Sequence, residues 1–276
     1  MSLAAYHSRR HHYHAHRISY PISFWQKVYS LFLMPLVVMA LAVIVVKLFA
    51  VAVPVSSDTI TINTLLAALG FTLLRLIVAY LLAVIVSIPL AVLATVSPLT
   101  RAIFLPMFDI FQSVPILAFF PVIILAFISM KSLMGAAIMI LFLSMVWNIV
   151  FTLIGGINVI PHDIIAAAHL FGLRGFAYFR KVLLPAMMPQ LITGSILAFA
   201  QGWNIIIVAE VLHTYIPHGT SAQDLFGIGS ILVAASANGQ NNVFLWAVFV
   251  MILAIAFINF FVWQKLLHYA QRYRFE

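Results

Sequence analysis

Polar residues are sparse along this chain, and they gather between long apolar stretches rather than within them. Six apolar runs stand out, at 29–53, 64–96, 104–128, 133–155, 186–212 and 243–264. Each reaches the roughly 20 residues that carry a helix across a hydrocarbon core at a rise of about 1.5 Å per residue. The pattern predicts an all-α polytopic membrane protein with about six transmembrane helices. The second run is longer than a bilayer requires and is expected to tilt or protrude. The third carries Pro106, Pro115 and Pro121, and missing backbone donors there predict kinks or a break.

The stretch 161–185, between the fourth and fifth runs, has a different pattern. Pro161 suits a first helical turn, and Asp163 is favourable near the positive end of a helix dipole. Ile164, Ala168 and Phe171 recur at i, i+4 and i+7 and are expected on one face. Ala166 and Ala167 keep that helix slim, and Gly172 can adopt the left-handed conformation that ends it. Gly175 then opens a second short helical phrase bearing Phe176, Phe179, Arg180 and Lys181, which Pro185 is expected to stop. A slim helix with an aromatic knob fits docking into a groove on a partner protein. An amphipathic pair lying on lipid would need a broader apolar face with more Lys and Arg opposite it.

Composition agrees with the membrane reading. The chain is 65% hydrophobic and 7% charged, more apolar surface than a soluble domain of 276 residues can hide. It has no cysteine, which excludes disulfides and thiolate metal sites. The formal charge of +8 sits mainly at segment ends. With the N-terminus in the cytoplasm, one side collects Arg9, Arg10, Arg17, Lys27, Arg101, Arg174, Arg180, Lys181, Lys265, Arg272 and Arg274. The other side has Lys131 alone, while Lys47 and Arg75 fall within spans. This asymmetry predicts that the 161–185 loop and both termini are cytoplasmic. Nucleic-acid binding is not expected, because no soluble basic fold presents the charge.

These boundaries divide the chain into a basic, His-rich tail at 1–28, a first transmembrane helix with its outer loop at 29–63, a core at 64–267 and a tail at 268–276. The apolar part of the first run is longer than a signal-peptide core of about 7–15 residues, so it is expected to be retained. His7, His11, His12, His14 and His16 suit a flexible cationic tail near anionic lipid better than a specific metal site.

The loop resembles the EAA loop of ABC importer permeases. That family's pattern is Glu-Ala-Ala, three residues, Gly, nine residues and Ile-x-Leu-Pro. Here Ala167, Ala168, Gly172, Val182, Leu184 and Pro185 occupy the anchors, and Ala166 stands where the family has its Glu. Further phrases resemble the nitrate/sulfonate/taurine-type group: Thr72-Leu-Leu-Arg75, Pro115-x-x-Ala118-x-x-Pro121, Leu184-Pro185-Ala186-x-x-Pro189 with Gly194, Trp203 followed by Ala209-Glu210, and Gly227-Ile228-Gly229. The resemblance covers roughly 64–265 and implies the type I importer fold with a cytoplasmic two-helix coupling loop at 161–185. It implies a pathway-forming inner-membrane subunit without catalytic residues, moving a small solute, an anion of the nitrate, sulfonate, taurine or bicarbonate kind or else an uncharged heterocycle. Its implied partners are two ABC ATPases that bind ATP and Mg, a second permease subunit and an extracytoplasmic solute-binding protein. Ala166, Ala167, Ala168, Phe171, Gly172 and Pro185 would then meet the ATPase. No cofactor is expected in this chain itself. The rival reading is a secondary transporter or channel, which would favour inverted repeats and would not need the coupling-loop spacing.

Several in-span polar residues are candidates for the transport pathway. Arg75 is costly in a membrane and either attracts an anionic solute or forms an ion pair inside the bundle. Glu210 is expected to pair with Arg75 or Lys47, or to anchor the outer gate. Gln112, Ser113, Asn148 and Gln201, with Trp203 and Asn204, are further candidates, and Asp109 is expected to pair with a basic group. The stripe Ala79, Ala83, Ser87 and Ala91 suits close helix packing, either within the chain or between two permeases. His213 and His218 are read as an ordinary polar loop, not as metal ligands, and Phe226–Ala237 as a short outer helix.

Overall fold

A computed structural model of the chain describes residues 61–270 apart from 217. The first apolar run, the His-rich tail, Lys47 and residues 271–276 lie outside the described residues, as does most of the proposed 29–63 segment. Within them, the chain is helical. In order come α1 (Ile62–Thr95), α2 (Pro98–Ser113), α3 (Ile116–Ser129), α4 (Leu133–Asn158), α5 (His162–Leu170), α6 (Gly175–Tyr178), α7 (Leu184–Glu210), α8 (Ile228–Ala237), α9 (Asn241–Ile258) and α10 (Gln264–Ala270). Four continuous helices are long and apolar enough to cross a membrane: α1, α4, Gly175–Glu210 and Asn241–Ala270. The bent pair α2–α3 makes a fifth crossing if taken as one span.

Central in the bundle, α4 packs along both α1 and α7. Ala79, Ala83, Ser87 and Ala91 of α1 are buried, and the Ser87 hydroxyl donates to the Val146 carbonyl of α4 at 3.0 Å. Small side chains let the two backbones approach, so dispersion contacts replace the hydrophobic drive that lipid does not supply. The small-residue stripe therefore serves packing within the chain. Tyr80 ties α1 to α7, its hydroxyl donating to Ser195 Oγ at 2.8 Å.

Helix α2 begins with a reciprocal cap. The Thr100 N–H donates to Ser97 Oγ at 3.1 Å, the Ser97 N–H donates to Thr100 Oγ1 at 3.0 Å, and Pro98 occupies the first turn. At Val114–Pro115 the helix breaks. A proline disfavours the helical region for its predecessor, and Val114 is extended with ψ of 123°. Helix α3 restarts at Ile116 with its axis turned by 85°. Pro106 and Pro121 lie inside α2 and α3, so of the three prolines only Pro115 makes the break.

Pro185 does not stop the second phrase of the loop. Residues Phe179–Leu183 form a π-turn, and Leu184 N–H donates to Phe179 O five residues back. That wider turn carries the chain past the missing N–H of Pro185, so Gly175 to Glu210 is one helix of 36 residues. A second π-turn, Asn259–Trp263, joins α9 to α10.

Candidate functional site

The break between α2 and α3 opens beside the middle of α4 and α7. A cavity of about 480 Å³ lies there, and Gln112, Ser113, Asn148 and Gln201 all line it. The structure thus gathers four polar residues that the sequence distributes over three helices. Ser144 and Trp147, absent from the sequence-based candidates, complete the wall of α4. Their signal was positional: Ser144 precedes Asn148 by one helical turn, and Trp147 adjoins it. Trp147 stacks parallel to Phe111 at 5.9 Å and packs against Phe108 at 5.6 Å. Both serine hydroxyls are turned back onto their own helices, Ser113 Oγ to Asp109 O and Ser144 Oγ to Leu141 O, each at 2.7 Å. The Asn148 amide reaches Ser144 O at 3.4 Å. Asp109 is exposed and makes no ion pair among the described residues, contrary to the pairing expected for it.

Arg75, Trp203, Asn204 and Glu210 do not line this cavity. Arg75 is 2% exposed and Glu210 fully buried, at the end of the bundle remote from the 161–185 loop. Arg75 Nη1 donates to Glu210 Oε1 at 2.5 Å, and Nη2 donates to the Phe226 carbonyl at 2.8 Å. Thr72, one turn before Arg75, donates to the same Glu210 oxygen at 2.7 Å and accepts the Ile228 N–H at 2.9 Å. The Gly229 N–H donates to Glu210 Oε2 at 2.8 Å, and the Leu225 N–H to the Glu210 carbonyl at 2.9 Å. A buried ion pair survives only when its remaining hydrogen-bonding capacity is met, and this one is met from Thr72 of α1 and the 226–229 segment. Of the two readings of Arg75, the geometry matches the ion pair inside the bundle. Trp203 instead packs edge-on against Phe199, which contacts Trp263 in the same way, and Asn204 is exposed.

The 161–185 loop carries an exposed apolar tip. Leu170 and Phe171 are 87% and 83% exposed, and Phe176 is also exposed. Gly172, with φ of 69°, ends α5 in a Schellman arrangement. Its N–H donates to His169 O at 3.0 Å and the Leu173 N–H to Ala168 O at 3.0 Å. The expected single face of Ile164, Ala168 and Phe171 is split. Ala168 is buried and Ile164 packs on the core, because α5 folds back against its own bundle, while Phe171 points away. Ala166 is exposed, Ala167 half-buried, and Pro185 half-buried within the first turn of α7.

At the opposite end, His213 Nδ1 meets the Asp224 carboxylate at 2.8 Å, and its backbone N–H donates to Asp224 Oδ1 at 3.1 Å. This clip spans a polar loop, and no cluster of three metal-ligating side chains occurs among the described residues.

Comparison with known proteins places this geometry. Residues 84–274 match the family described as binding-protein-dependent transport system inner membrane component. The chain is 34% identical over 125 residues to the nitrate import permease protein NrtB of Leptolyngbya laminosa, covering 45% of this chain and 44% of that protein. It is 26% identical over 161 residues to the bicarbonate transport system permease protein CmpB of Synechococcus elongatus, covering 58% and 54%. The matches thus span about half the length of these relatives. In fold it resembles a chain of the MetNI methionine ABC transporter in an inward-facing conformation, with a TM-score of 0.61 and 19% identity over 75% of this chain and 96% of that one. With a family match over more than half of its length, an all-α bundle of apolar spans and a type I permease fold, the chain belongs to the binding-protein-dependent transport system inner membrane component family.

Proposed function

We propose that this chain is the pathway-forming permease subunit of an ATP-driven importer, moving a small polar solute across the inner membrane by alternating access. The observation that carries this reading is the exposed tip at the turn between α5, closed by Gly172 and ending in Leu170 and Phe171, and the next helix, which opens with Phe176. Apolar side chains exposed on a compact, capped turn at the end of the bundle suit burial in a partner's groove. The partner is an ABC ATPase pair, which binds ATP and Mg and performs the hydrolysis. Docking at Ala166, Ala167, Phe171 and Gly172 is more apolar than in the EAA pattern, because Ala166 offers no acid. Pro185 and Ala168 act from behind, by holding α5 against the bundle.

A second permease subunit completes the pathway and an extracytoplasmic solute-binding protein delivers the solute. The loop and both termini face the cytoplasm. Gln112, Ser113, Asn148 and Gln201 line the route, while Arg75 and Glu210 hold its outer end closed to water. Trp203 and Asn204 flank the route on α7. The named relatives, a nitrate and a bicarbonate permease, set the expected size of the cargo.

Co-purification after mild solubilisation tests the reading. The full chain is expected to bring down an ABC ATPase, and Phe171→Ala, at an exposed position, to lose it while the bundle stays folded. Retention of the ATPase by Phe171→Ala, or its absence from the wild-type preparation, would count against the proposal.

A further inference from the structure

We infer that the cavity at the α2–α3 break takes a small, flat, uncharged solute bearing N–H or O–H groups, and that it selects against small anions. The inference rests on the reading that this cavity lies on the solute route.

Charge is the first observation. None of the residues lining the cavity is Arg, Lys, His, Asp or Glu. Arg75, the in-span cation of α1, is fully committed to Glu210 and the Phe226 carbonyl and is shut away from the cavity. Asp109 stands one turn before Gln112 and Ser113 on the same side of α2, exposed and without an ion-pair partner among the described residues. The nearby fixed charge is therefore negative. The amide end of α3 adds partial positive charge at the break, but the carbonyl end of α2 meets it there and offsets it. An anion entering the cavity would find no countercharge on the side chains of this chain that line it.

Hydrogen-bond polarity is the second. Both serine hydroxyls spend their protons on helix carbonyls, so Ser113 Oγ and Ser144 Oγ turn lone pairs outward. The Asn148 amide N–H₂ leans on Ser144 O, which leaves its carbonyl oxygen free. These three side chains thus offer acceptors to donors on the solute, and the amides of Gln112 and Gln201 beside them can accept as well as donate. Nitrate has no donor. Shape is the third: Phe111 and Trp147 stack in parallel as one wall, a surface suited to a flat ring or amide. The cavity volume of about 480 Å³ lies in the range of small-molecule sites, roughly 300–1,000 Å³.

The chain has no cysteine, so single thiols report the cavity without background. Gln112→Cys and Ser113→Cys, both at exposed positions, are made in the full chain in lipid nanodiscs, with Ser129→Cys at the end of α3 as reference. Each is treated with neutral methyl methanethiosulfonate and with anionic sulfonatoethyl methanethiosulfonate. The neutral-to-anionic rate ratio at 112 and 113 is expected to exceed the ratio at 129 by about threefold, the effect in water of one exposed carboxylate roughly 6 Å away. Asp109→Asn should reduce that excess. As a second measurement, acrylamide should quench Trp147 emission, taken as the difference from Trp147→Phe, more strongly than nitrate does. Equal rate ratios at the three positions, or nitrate quenching as strong as acrylamide, would overturn the inference. Neither result depends on an ATPase, so failure of the importer reading and failure of this one are separately visible.

Discussion

Gly227 lies so close to the Glu210 carboxylate that a Cβ at this position would overlap both its oxygens. Its φ of −173° is extended backbone open to any residue, so space alone demands the glycine. Gly227→Ala should push the carboxylate away from Thr72 and Arg75 and cost about 1–3 kcal/mol, the usual range for overpacking. Thermal unfolding in detergent checks this, with Gly70→Ala as control, since no neighbouring atom there would meet a Cβ. Equal melting temperatures for the two variants would refute the account.

Removing one partner of the buried pair leaves the other charge without compensation. Arg75→Met or Glu210→Leu alone is expected to destabilise the bundle by about 3–5 kcal/mol. The double variant Arg75→Met/Glu210→Leu, similar in volume and without charge, should recover much of that loss. A double-mutant cycle reads the difference, and additive losses would show that the pair does not act as a unit.

Pro115 sets the bend between α2 and α3. Pro115→Ala restores a backbone donor and frees Val114 to become helical, so the two helices should straighten. Spin labels at Ile103 and Leu125 would then approach the separation of a straight helix, 22 residues or about 33 Å. The wild type should give a shorter distance, and an unchanged distance in the variant would show that packing, not the proline, holds the bend.

Gly172 tests the loop independently of the apolar tip. A left-handed residue is tolerated as Asn but strained as a β-branched residue. Gly172→Asn should therefore keep ATPase binding, and Gly172→Val should weaken it although residue 172 itself is solvent-exposed. Side-by-side pull-down assays compare them, and identical retention would mean that the helix stop does not position Phe171.

Much of the fold was legible because apolar run length and proline position report directly on helices in lipid. The runs at 64–96 and 133–155 became α1 and α4 with shifts of a few residues, and Pro115 broke the third run. The π-turn at Phe179–Leu183 was not legible, since nothing local distinguishes a turn bonded five residues back from one bonded four back, and Pro185 pointed to a stop instead. The cavity was half legible. Gln112, Ser113, Asn148 and Gln201 were suspect because polar groups in spans seek the interior, but only tertiary packing shows that they meet. The Arg75–Glu210 pair was one of two readings left open. The choice between them depended on contacts made across 135 residues of chain. The face of α5 was misjudged for a related reason: periodicity marks Ile164, Ala168 and Phe171 as neighbours but cannot say which side the bundle takes.

The unbroken helix from Gly175 to Glu210 has a mechanical consequence. Its 36 residues span about 50 Å, from the aromatic Phe176 at one tip to the clamped carboxylate at the other. No loop interrupts it beyond the widened turn at Phe179–Leu183, and its far end is fastened. If a partner pushed at Phe176, a stiff turn at Phe179–Leu183 would pass the push along the shaft beside Gln201 towards Glu210, whereas a yielding one would absorb it.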